Sequence, residues 1–119
     1  MKNYLFIISR APYASSHAFE QLEAAMVAAV FDASVTVLLR DEGVWALQPG
    51  QEGSATQQNT FAKALAALPA YEVEQLYVCE ASLRKHGVSV DPSLGFKPMR
   101  LVAQQQLIDS SDVVIGSQS

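Results

Sequence analysis

The one thiol of this sequence lies in "YVCEASLRKHG", residues 77–87. Cys79 follows a short apolar run and precedes a segment of helical composition. At a helix N-terminus, unpaired backbone N–H groups and aligned peptide dipoles favour the thiolate, the nucleophilic form of sulfur. Glu80 opposes this if its carboxylate turns toward the sulfur, and Arg84, Lys85 and His86 lie about a turn or more away. Sulfur chemistry is one reading of the position. The other is packing, because free cysteine often serves as a small buried hydrophobe. A chain with one cysteine cannot form an internal disulfide. Any sulfur atom it accepts must leave to a thiol on another chain.

The remaining reactive side chains form weaker patterns. His17 and His86 have no metal-ligand spacing around them, so no metal site is expected. Asp41 and Glu42 are adjacent acids after an apolar run, the usual composition of a solvated turn. The segment "SRAPYASS" offers Ser9, Arg10 and helix N–H groups to an anion. It lacks the glycine that lets a backbone approach phosphate closely, which disfavours a nucleotide or flavin domain. Trp45 suits a core and an interface anchor equally.

These groups need elements to position them. "YLFII" (4–8), "SVTVLL" (34–39) and "QLYV" (75–78) are short apolar runs typical of buried strands. "DVVIG" supplies a last strand, and a short edge strand is expected near 93–96. "HAFEQLEAAMVAAVF" is rich in helix formers, with Ser15 or Ser16 able to cap it. "QQNTFAKALAAL" predicts a second helix ended by Pro69, and a short helical turn is expected at 43–47. "EASLRKHG" predicts a third helix stopped by Gly87, and Pro98 is placed in the first turn of a fourth, "PMRLVAQQQLIDS".

Strand and helix patterns alternate along the chain. That predicts one α/β domain over residues 1–119, a mainly parallel sheet with helices on both faces in flavodoxin-like layering. Chemistry in such sheets gathers at the carboxyl ends of the strands. Ser9, Arg10, Asp41 and Cys79 each end or follow a strand, so they are expected on one edge, lining one pocket. The 119 residues, half of them hydrophobic, are enough to bury a core without staples. A net charge of −4 disfavours direct nucleic-acid binding. No run approaches a membrane span, and "YLFII" is too short for a secretory signal. A cytoplasmic location is expected.

Three stretches, correctly spaced, resemble one known family. "FIISRAPYASS", "RDEGVWALQPGQ" and "VEQLYVCEASLRKHG" are similar to segments of the DsrE-like sulfur-relay proteins, in particular their TusC/DsrF branch. Pro98 and the closing "DVVI" also fit, and the resemblance runs along almost the whole chain. It implies a subunit of a hetero-oligomer, typically a dimer of trimers built with homologous sister subunits. Such assemblies pass persulfide sulfur from donor to acceptor proteins. They serve 2-thiolation of the wobble uridine of tRNA, the expected role here, or sulfur oxidation. The resemblance implies no cofactor, and it makes Cys79 the candidate persulfide carrier. It also places Val44, Trp45 and Leu47 at a subunit contact, buried on association. A structural subunit with an inert thiol is the competing expectation.

Overall fold

The computed structural model describes residues 2–10, 17–31, 33–47, 63–73, 75–90 and 94–116. Five apolar segments pair as strands: β1 (Asn3–Ile8), β2 (Ser34–Leu39), β3 (Gln75–Cys79), β4 (Lys97–Met99) and β5 (Val113–Gly116). Their order in the sheet is β4-β3-β2-β1-β5, and every neighbouring pair is parallel. The helices are α1 (His17–Val30), α2 (residues 63–67), α3 (Glu80–His86) and α4 (Leu101–Ser110). Two 3-10 segments, Asp41–Leu47 and Leu68–Tyr71, complete the chain order.

Alternation along the strands divides the core in two. Phe6, Ile8, Val35, Val37, Leu39, Leu76 and Val78 join one cluster with Leu22 of α1, Leu65 of α2 and Leu83 of α3. Leu5, Ile7 and Leu38 point the other way and pack with Leu107 and Ile108 of α4. Handedness explains why α4 stands apart. The chain steps outward from β1 to β4, then α4 carries it back to set β5 beside β1. A right-handed crossover running in the reverse direction must lie on the opposite face. Helices therefore cover both faces, as the alternating pattern predicts.

β1, β2, β3, α1 and α3 fall within a residue of their expected bounds, and Gly87 is the left-handed C-cap of α3 at φ 64. The region around Pro98 differs. The edge strand is Lys97–Met99, not 93–96, and it contains Pro98 in register with Val78. Among the described residues β4 has a neighbour on one side only, where a residue without an N–H is tolerated. α4 accordingly starts after Arg100, whose extended backbone (φ −74, ψ 157) forms its N-cap. Pro69 lies inside the 3-10 segment that continues to Tyr71. The proposed caps Ser15 and Ser16 and the stretch 57–62 lie outside the described residues.

Candidate functional site

Because all five strands are parallel, their carboxyl ends share one edge of the sheet. Ser9 and Arg10 follow β1, Asp41 follows β2 by one residue, and Cys79 ends β3. Cys79 is also the N-cap of α3, with an extended backbone (φ −67, ψ 116). The residue is 2% exposed. It reaches open space through a cavity of about 190 Å³, lined also by Arg40, Asp41, Ser82, Lys85 and Leu101.

Ser9 and Arg10 share the edge and do not line that cavity. The 3-10 segment Asp41–Leu47 starts here and closes over the end of β1. The Arg40 N–H donates to the Ile8 carbonyl at 3.1 Å, and Gly43 packs directly on the same carbonyl. Of the four residues expected in one pocket, the fold brings Asp41 and Cys79 together.

Two side chains that spacing did not single out complete the surroundings of the thiol. Ser82, on the first turn of α3, is 8% exposed, and its Oγ accepts the Asp41 N–H at 2.9 Å. With that oxygen occupied by a donor, the hydroxyl proton is free to point at the sulfur. Asp41 presents its N–H from a left-handed backbone, φ 51. Gln104 reaches in from α4 and is 2% exposed. Its Nε2 donates to the Met99 carbonyl at 2.9 Å. Met99 is the register neighbour of Cys79, so the carboxamide is fixed beside the thiol. Oε1 of Gln104 is buried without a partner among the described residues.

Burial pushes the Cys79 thiol up. The donors that face the sulfur, from the Ser82 hydroxyl, the Gln104 carboxamide and the backbone N–H groups of Ser82 and Ala81, outweigh it and hold the thiol below its ordinary value. The arrangement favours the thiolate form of a recessed sulfur.

Val44 and Leu47 correct an expectation. They are 0% and 1% exposed within the chain itself, so their side chains cannot be buried by association. A 3-10 segment repeats every three residues, which turns positions 44 and 47 to the same inner face. Trp45, between them, is half-buried and lies against His86 of α3, with ring centroids 5.5 Å apart. Among the described residues, no cluster of His, Cys, Asp and Glu could hold a metal ion. None of the helices there is long and apolar enough to cross a membrane.

Residues 2–116 match the model of the DsrE/DsrF-like family. The chain belongs to that family. Among its relatives is "Intracellular sulfur oxidation protein DsrF" of Allochromatium vinosum, 34% identical over 91 residues, covering 76% of this chain and 67% of that one. "Protein TusC homolog" of Pseudomonas aeruginosa is 35% identical over 117 residues, covering 97% and 98%. The crystal structure of the ychN protein from E. coli superposes with a TM-score of 0.76 over 97% of this chain and 98% of that one. At 24% identity, it shows a common fold.

Within this DsrE/DsrF-like chain, the serine three residues after the cysteine had a legible signal. At that spacing a hydroxyl lies in the first turn, close to the N-cap side chain. Gln104 had none, since it comes from a different helix on the opposite face of the sheet. Its role can be measured. Gln104→Leu should move the midpoint of the alkylation rate against pH upward and slow alkylation at neutral pH. Stability should fall by about 1–2 kcal/mol, because leucine removes the unpartnered Oε1 but leaves the Met99 carbonyl without its Nε2 donor. An unmoved pH profile would show that the carboxamide does not bear on the thiolate.

Proposed function

We propose that this chain is a subunit of a sulfur-relay assembly in which Cys79 carries sulfur as a persulfide. The observation that carries this reading is the thiol itself. It ends a strand inside a recess and is held below its ordinary pKa by Ser82 and Gln104. The step it suits is a balanced exchange. The Cys79 thiolate attacks the outer sulfur of a donor persulfide. A new S–S bond forms, the donor's S–S bond breaks, and its electron pair leaves with the donor thiolate. No net oxidation occurs. With no second cysteine in the chain, the sulfur passes on only to an acceptor on another chain.

The family and the two named relatives support a place among sulfur-relay subunits. In this reading the endpoint is 2-thiolation of the wobble uridine of tRNA, with sulfur oxidation as the alternative branch, and relatives named for each stand at 34% and 35% identity. In this reading the chain works in the cytoplasm with homologous sister subunits as a dimer of trimers. It needs no cofactor, and half-buried Trp45 remains the anchor for a sister. The 2% exposure of Cys79 favours a second reading, a scaffold whose thiol only packs.

Persulfide loading separates the two. The full chain is incubated with a persulfidated donor protein and its intact mass is measured. A gain of one sulfur atom, reversed by a reductant, is the expected result. A chain that stays unmodified under conditions that load a sister subunit is a scaffold.

A further inference from the structure

We propose that the surface around the cavity mouth docks an acidic, cysteine-bearing segment of a partner protein, an inference that rests on the sulfur-carrying reading of Cys79. A second hollow of about 370 Å³ adjoins the thiol cavity, and Ala81 and Leu101 wall both. Arg40 and Lys85 stand at the first, and Arg84 and Arg100 at the second. Four of the chain's eight Lys and Arg residues thus gather on one spot of a protein whose net charge is −4.

The acids in the two walls are Asp41 and Glu80, and Glu80 is engaged by Arg84 at 3.6 Å. Among the described residues, Arg84 is the one member of the four in an ion pair. A basic rim whose Arg40, Lys85 and Arg100 have no ion pair among the described residues matches a partner of opposite charge. The rim is also apolar. Leu101 and Val102, at the start of α4, are 57% and 72% exposed. They offer contact to an apolar side chain on the same segment. The thiol is recessed, so the occupant must protrude to bring its sulfur to Cys79. A protruding segment with acidic and apolar residues around a cysteine meets all three conditions.

Disulfide exchange tests docking without requiring persulfide. Two peptides of equal length carry a cysteine activated as a 2-pyridyl mixed disulfide, one flanked by Glu and Leu, the other by Lys and Leu. The Cys79 thiolate attacks the peptide sulfur, a chain–peptide disulfide forms, and 2-thiopyridone leaves with the electron pair. The acidic peptide should react about tenfold faster at low salt, and the advantage should fall toward parity at high salt. The double variant Arg84→Gln, Arg100→Gln should lose most of the advantage, yet react normally with uncharged 2,2′-dipyridyl disulfide.

Equal rates for the two peptides, with normal reaction of the small disulfide, overturn the docking proposal and leave the sulfur-carrying reading standing. Peptide selectivity without any persulfide mass gain does the reverse. No reaction with any of the three probes shows a closed thiol and removes both. Stronger blocking of the acidic peptide by an oligouridylate than by the unactivated peptide would assign the basic rim to RNA and overturn the proposal.

Discussion

If Cys79 carries sulfur as proposed, Cys79→Ser should abolish the mass gain of one sulfur atom while the fold persists. The loss is complete because the chain has no second thiol to take the sulfur. The fold persists because position 79 is the N-cap of α3, where serine is among the preferred residues. The new hydroxyl is close in size and meets the same donors that now face the sulfur, Ser82 and Gln104. Stability should stay within about 1–2 kcal/mol of the wild type, as is usual for a substitution that leaves no unpaired buried group. Intact-mass spectrometry after donor treatment and a urea unfolding curve measure the two quantities. A serine variant that still gains reversible sulfur would mean that the label does not report on Cys79.

Gly43→Ala should be strongly destabilising, and it should reach the site from behind. A Cβ at position 43 would lie 2.0 Å from the Ile8 carbonyl oxygen and 2.8 Å from its carbon. Both are backbone atoms of a central strand, so no flexible side chain can yield. The same carbonyl already accepts the Arg40 N–H at 3.1 Å. Ordinary overpacking costs about 1–3 kcal/mol, and an encounter with fixed backbone should stand at or above the top of that range. The 3-10 segment must then lift off β1. Asp41 begins that segment, so its N–H should draw away from Ser82 Oγ, now 2.9 Å distant. A lower urea midpoint and slower thiol alkylation at neutral pH should appear together. A loss of less than about 1 kcal/mol would mean that the segment moves freely and is no fixed wall of the cavity.

The unequal legibility of the elements has a physical cause. Apolar runs such as "YLFII" and "SVTVLL" are buried on both faces, so composition alone marks them as strands of a parallel sheet. Alternation with helical segments leaves few topologies, and crossover handedness settles the faces. Pro98 sits in β4 and not in the first turn of a helix, and proline suits both places. Local chemistry does not separate these, and the place of β4 at the end of the sheet among the described residues does. A short helical turn at 43–47 leaves open which of its apolar side chains face inward, so Val44 and Leu47 suit an interface as well as a core. The three-residue repeat of the 3-10 segment turned them inward.

The sequence by itself determined the parallel α/β layering, the strand-to-helix junction at Cys79 and the membership of its segments in one family, since each depends on residues close together in the chain. The tertiary structure decided which groups face the sulfur. Asp41 and Ser82 are 41 positions apart and meet because β2 and β3 are neighbours. Gln104 meets Cys79 because β4 pairs with β3, which sets Met99 beside the thiol and α4 above it. Ser9 and Arg10 share the edge but stay outside the cavity, because Gly43 lets the 3-10 segment settle onto the end of β1. Strand adjacency fixes those contacts, and it arises only when the whole sheet has assembled.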